Sequence, residues 1–167
     1  METVFISAFT NLAEAAERWR EEHGRSAEMI IATSMKDSDI EKLLLWPAMN
    51  ICTDGGLNDL HPRGAGSFPR VLGHFARDKK LMSVETAVHK MSGLTAEHMG
   101  FSDRGLIREG MIADLVLFNP DTVIDRATPE QPELLSDGIN SVWVSGELVY
   151  QQGATTEARP GKIIRRN

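Results

Sequence analysis

This sequence has a single cysteine, Cys52, so it cannot close an intramolecular disulfide, and the expected setting is a reducing compartment, the cytoplasm. It has no apolar run approaching the ~20 residues that a membrane span requires. Its start, Met1-Glu2-Thr3-Val4-Phe5, lacks the basic residues of a signal peptide. It has no basic stripe either: 18 Lys and Arg face 24 Asp and Glu, for a net charge of −6, and the cations are scattered apart from a tail cluster at Lys162, Arg165 and Arg166. Nucleic acid and membrane are therefore not expected as partners. No His-x-His, His-x-x-x-His or Cys-x-x-Cys occurs anywhere in the 167 residues, which argues against a self-sufficient zinc site at a recognised ligand spacing.

What is present is enough apolar material, 41% of residues, for a real core in one ordinary domain or in part of a larger one. Phe9, Leu12, Ala13, Ala16 and Trp19 recur at helical spacing, with Thr10 or Ser7 as an N-cap and His23 and Gly24 at the end of the helix. Glu28 to Thr33 is an apolar run of strand length. Ser38-Asp39-Ile40-Glu41 matches a capping box opening a helix through Leu45, which Pro47 ends. Met49-Asn50-Ile51-Cys52-Thr53-Asp54 then reads as a buried strand delivering one carboxylate to the loop Gly55-Gly56. Ser67 is expected to cap a helix carrying Val71, Leu72 and Phe75. Ser83 caps another carrying Val84, Ala87, Val88 and Met91, with Gly93 at its C-cap and one more turn over Thr95 to Met99.

Alternating strands and helices, with strands apolar on successive residues, predict parallel strands covered on both faces. After about Phe101 the pattern becomes β-rich: a turn over Gly105 to Gly110, a strand over Asp114 to Phe118, and a hairpin over Ile139 to Tyr150 turning near Ser145-Gly146. Pro120 to Gly138, polar and proline-bearing, is expected to be a loop or edge excursion. The fold class is α/β. So few parallel strands cannot close a barrel and a few antiparallel strands cannot bury both faces alone, so the pattern is that of part of a larger architecture.

Asp54 is the leading candidate for chemistry. An acid at the C-terminal edge of a strand can bind a metal or move a proton between water and a leaving group, and it can equally cap the turn before Gly55-Gly56. Cys52, two positions earlier, would share its face on a strand as a ligand or nucleophile, against the plainer role of a small buried residue. His61-Pro62-Arg63 follows in a loop. The planar fork of Arg63 suits a carboxylate ligand, with a surface salt bridge as the alternative, and His61 either orients a neighbour or meets solvent. His74, His89 and His98 fall in expected helices and read as packing or surface histidines, and His23 sits where a helix end favours positive charge.

Taken in order, Cys52-Thr53-Asp54-Gly55-Gly56, His61-Pro62-Arg63, the run Phe68 to Asp78 and the run Glu85 to Ala96 closely resemble the N-acyl-D-amino-acid deacylases, or D-aminoacylases, of the amidohydrolase superfamily. Gly105-x-Ile107-x-x-Gly110-x-x-Ala113-Asp114-Leu115-Val116-Leu117-Phe118, with Val142-Trp143-Val144-Ser145-Gly146, is similar to that superfamily's C-terminal β-domain signature. The resemblance covers roughly residues 27 to 153.

It implies the C-terminal part of a (β/α)8 TIM-barrel metal-dependent hydrolase, residues 1–102, followed by strands of a small β-sandwich, residues 103–167. It further implies that Asp54 matches the last-strand aspartate, which contacts the zinc and its water and acts as general base and then proton donor. Arg63 falls at the loop arginine that holds the substrate α-carboxylate, and His61 beside it is expected to share in substrate binding. The intervening loop is slightly short. The family's other zinc ligands, a His-x-His, an early-strand cysteine and middle-strand histidines, have no match here, and Cys52 is not that cysteine.

The implied substrate is a small N-acyl-D-amino acid, cleaved to a carboxylic acid and a free D-amino acid. The implied partner is a missing N-terminal barrel segment or a complementary subunit, with a homo-oligomer left open. The chain alone is expected to be inactive. Two rival readings are another amidohydrolase, such as an imidase or dihydroorotase-like ring opener, and a non-catalytic remnant or assembly subunit.

Overall fold

A computed structural model describes residues 3–6, 17–18, 20–22, 29–32, 35–56 and 61–165. Two short strands, β1 (Thr3–Ile6) and β2 (Met29–Ala32), pair in parallel with Thr3 opposite Met29 and Ile6 opposite Ala32. The expected helix from Phe9 lies outside the described residues except at 17–18 and 20–22, which are helical, and His23 lies outside them as well.

Four helices follow: α1 (Asp37–Leu45), α2 (Arg63–Arg70), α3 (Val84–Met91) and α4 (Gly93–Met99). Helix α1 starts one residue before the expected capping box. Its N-cap is Lys36, with no side-chain cap, and Asp37 and Asp39 supply the negative charge that the first turn favours. Ser83 caps α3 as its sequence predicts, accepting from the Thr86 N–H at 3.2 Å. Gly93 does not cap α3. The break falls at Ser92 (φ −130, ψ −81), Gly93 begins α4, and Gly100 (φ 75) is the left-handed cap that ends it.

Helix α2 also corrects the sequence reading. It opens four residues before Ser67, whose hydroxyl lies inside the helix and donates to the Arg63 carbonyl at 2.8 Å. Pro62, at φ −58, is already set for a helical start. Pro69 sits within α2 and has no N–H to give the Ala65 carbonyl four residues earlier. The Ser136 hydroxyl donates to that oxygen instead, at 3.3 Å. From Val71 to Asp78 the helix widens into π winding, with the Lys79 N–H reaching back five residues to the His74 carbonyl at 2.9 Å.

The predicted strand over Met49 to Asp54 does not form. The segment is irregular, because a strand needs a neighbouring ladder for its polar backbone and this one finds a helix end instead: the Ile51 N–H donates to the Lys90 carbonyl of α3 at 3.2 Å. Among the described residues no parallel barrel closes.

The β-rich third is as expected in kind. Strands β3 (Leu115–Phe118), β4 (Ile139–Val144), β5 (Glu147–Gln151) and β6 (Ala154–Thr155) form one antiparallel sheet in that order. The β4–β5 hairpin turns at Ser145 (φ 51) and Gly146 (φ 83), the paired left-handed conformation of a type I′ turn. Residues 120–138 form an excursion closed by a single bridge between Ile124 and Asp137.

The core gathers Leu44, Ile51, Val71, Leu72, Phe75, Ala76, Ala87 and Val123. Val123 plugs the excursion into the π-wound helix, and Arg77 ties it down by donating to the Val123 carbonyl at 2.7 Å. Among the described residues no helix is long and apolar enough to cross a membrane.

Candidate active site

Asp54 stands at the end of the segment that leaves the core at Ile51. Its backbone is left-handed (φ 49), an uncommon conformation that an Asp tolerates better than most residues. The turn-capping role open to Asp54 is filled by its neighbour, since the Thr53 hydroxyl accepts the Gly55 N–H at 3.2 Å. The Asp54 carboxylate is thus turned out of the local backbone, with 79% of its side chain exposed, and meets the Arg63 guanidinium at 3.2 Å.

A close backbone approach at Gly55 makes that meeting. A Cβ on Gly55 would fall 2.6 Å from the Gly64 Cα, so the loop after Asp54 lies backbone to backbone on the first turn of α2, where Arg63 is rooted. His61 fixes the same turn from the other side, its Nδ1 accepting the Arg63 N–H at 3.1 Å. That bond satisfies one of the donors that a helix start leaves without an intrahelical partner. The three residues singled out from the sequence, Asp54, His61 and Arg63, therefore form one cluster. His61 acts through the backbone of Arg63 in this arrangement.

Cys52 departs from the plainer of its readings. With no strand at 49–54, alternation does not place it on the face of Asp54, and it is an exposed free thiol rather than a buried filler. His74 packs edge-on against Phe75, with ring centroids 4.8 Å apart, and His89 and His98 are exposed. Among the described residues no three His, Cys, Asp or Glu side chains come together as a metal site. A cavity of about 670 Å³ lies elsewhere, between α2 and the face of the antiparallel sheet, lined by Pro69, Ile139, Val142, Tyr150 and Arg159 among others.

The Arg77 hydrogen bond holds the Asp78 carboxyl below its ordinary value, and the same bond raises Arg77. Glu85 is lowered by its own backbone N–H and then by the Ser83 hydroxyl. Sequence reasoning did not single out Thr53, Gly64 or Lys90, whose side chain is 4% exposed as a residue. The signal for Lys90 was its place three residues after Ala87, on the stripe of α3 that packs inward.

Residues 49–150, which hold this whole cluster, match the family model described as the amidohydrolase family. The chain belongs to the amidohydrolase family. Among its relatives is the D-aminoacylase of Alcaligenes xylosoxydans xylosoxydans, 42% identical over 91% of this chain and 33% of that protein. The N-acyl-D-glutamate deacylase of the same organism is 40% identical over 94% of this chain and 33% of its own length. A solved structure of N-acyl-D-glutamate deacylase from Bordetella bronchiseptica, complexed with zinc and a phosphonate mimic of the tetrahedral intermediate, superposes with a TM-score of 0.73 at 42% identity, over 78% of this chain and 28% of that one.

This amidohydrolase chain thus spans about a third of the length of the curated relatives it matches. Family and structural likeness together imply the TIM-barrel amidohydrolase fold; the described residues show helices, a parallel strand pair and a small antiparallel sheet.

Proposed function

We propose that this chain is the C-terminal portion of a zinc-dependent N-acyl-D-amino-acid deacylase, with residues 1–102 belonging to the barrel and residues 103–167 to the β-domain. The observation that carries the reading is the placement of Asp54 beside Arg63, 3.2 Å apart, inside the stretch that matches the family; the pair is an exposed salt bridge, the alternative named for Arg63, and on this reading a substrate carboxylate takes the place of Asp54 on the fork. Relatives named for acyl D-amino acid hydrolysis support the substrate class. The single free cysteine supports a cytoplasmic setting.

Zinc is the cofactor of this reading, and when bound it polarises the scissile carbonyl. The described residues do not make its site, since no three candidate ligands converge, so the remaining holders belong to chain or subunit not described here. What this chain's own residues do is narrower. The Asp54 carboxylate takes a proton from the attacking water and returns it to the amine nitrogen as the C–N bond breaks. Arg63 holds the α-carboxylate of the substrate in its planar fork, and His61 sets the start of the helix from which Arg63 projects.

The test is a chimera in which this chain replaces the matching third of the Alcaligenes D-aminoacylase. It is expected to hydrolyse N-acyl-D-amino acids, and Asp54→Asn in it to lower kcat by at least about 10²-fold while leaving the circular dichroism spectrum unchanged. A folded, zinc-loaded chimera without deacylase activity, or an Asp54→Asn chimera at full turnover, overturns the reading.

A further inference from the structure

We infer that Lys90 is a positioning residue for the Asp54 loop, acting as a clamp that holds segment 46–51 at a fixed place against α3. This deepens the proposed reading of Asp54 and rests on it for its functional meaning.

Lys90 lies in the last turn of α3 and is buried, with Ala87 fully enclosed one turn earlier. Its ammonium donates to the Trp46 carbonyl at 2.5 Å and to the Met49 carbonyl at 3.1 Å. Its own carbonyl is among those that a helix end leaves without a helical donor. That oxygen accepts from the Ile51 N–H at 3.2 Å and from the Thr95 hydroxyl at 2.9 Å. One residue therefore grips three positions of a stretch that has no strand partner, Trp46 and Met49 through its side chain and Ile51 through its backbone.

A charge buried this deeply is costly unless it is well bonded, and an apolar side chain of similar length would fill the same space without that cost. What the ammonium adds is direction, because it bonds the Met49 carbonyl and gives a second donor to the Trp46 carbonyl, which also accepts the Met49 N–H at 3.1 Å. Segment 46–51 runs straight into Cys52, Thr53 and Asp54. Fixing it fixes where the loop leaves the core, and hence where the Asp54 carboxylate meets Arg63.

The chain carries its own reporter for this, since Cys52 is its sole cysteine and is exposed. A nitroxide attached to Cys52 in the full chain reads the mobility of the segment by electron paramagnetic resonance. Lys90→Met is expected to narrow the lines and Lys90→Arg, which keeps a cationic donor, to restore them toward the parent spectrum. Unchanged lines in a folded Lys90→Met chain overturn the inference.

Should Lys90→Met fail to fold, amide exchange of the unaltered chain decides. The Ile51 amide is expected to exchange about a hundredfold or more slower than a free peptide, and exchange at the free-peptide rate overturns the clamp. Neither readout depends on deacylase activity, so failure of the clamp and failure of the enzymatic reading are seen separately.

Discussion

Gly55 rests on Gly64 with no room for a side chain between them: a Cβ at position 55 would come within 2.6 Å of the Gly64 Cα. The reverse does not hold. A Cβ at position 64 would find the Gly55 Cα at 3.8 Å, ordinary contact distance. The two glycines thus have different reasons to be glycine, and only one of them is required by the approach that brings Asp54 to Arg63.

Gly55→Ala should therefore destabilise the chain by about 1–3 kcal/mol, because backbone must shift to admit the methyl group. Gly64→Ala, in the first turn of α2, should be neutral or stabilising by up to about 1 kcal/mol, the usual gain of alanine over glycine in a helix. Urea unfolding of the two variants checks the asymmetry, and equal losses would refute it.

Arg63 carries the substrate-binding half of the proposed site. In the D-aminoacylase chimera, Arg63→Ala should raise KM for N-acyl-D-amino acids by about 10- to 100-fold, the worth of a charge-assisted hydrogen-bond pair, and should leave KM for acylated amines without a carboxylate nearly unchanged. Steady-state kinetics on matched substrates with and without the carboxylate measure it. Equal effects on both would remove Arg63 as the clamp.

Asp78 gives a pH dependence with a definite sign. Its hydrogen bond from Arg77, 2.7 Å from Nε to Oδ1, lowers its folded pKa. A carboxyl lowered on folding adds stability that is fully present above its unfolded value and is lost as pH falls through the folded value. The stability difference between the parent chain and Asp78→Asn should thus be constant at neutral pH and shrink in acid. Thermal unfolding across a series of acidic buffers follows it, and a difference that grows on acidification would contradict the sign.

Zinc binding by the chain alone provides a further check. With no convergent ligand set among the described residues, the isolated chain should retain less than stoichiometric zinc after dialysis against the metal. Stoichiometric retention, measured by atomic absorption, would reveal ligands the proposed division assigns elsewhere.

Several features are legible in the sequence because their causes are local. The Ser145-Gly146 hairpin needs only two residues that accept left-handed dihedrals between β-forming runs. The start of α3 needs only the Ser83 hydroxyl three residues ahead of the Thr86 N–H. The resemblance carried by the motifs from Cys52 to Phe118 falls within the stretch that matches the amidohydrolase family. The run Met49 to Asp54 misled for a reason equally physical: apolar residues declare that a segment is buried and do not declare what will bond its backbone. Here a helix end and the Lys90 ammonium do so, at Ile51 and Met49.

The order of residues alone thus settled the candidates, Asp54, His61 and Arg63, and the family in which they belong. It could not settle that they touch. That depended on two backbones nine positions apart in sequence lying close enough to forbid a methyl group, on an arginine reaching back to an acid across that seam, and on a buried lysine of α3 holding the approach in place. Side-chain identity is written along one dimension, whereas close approach is decided by how helices and loops pack in three. For that reason the chemistry was readable first and the geometry only afterwards.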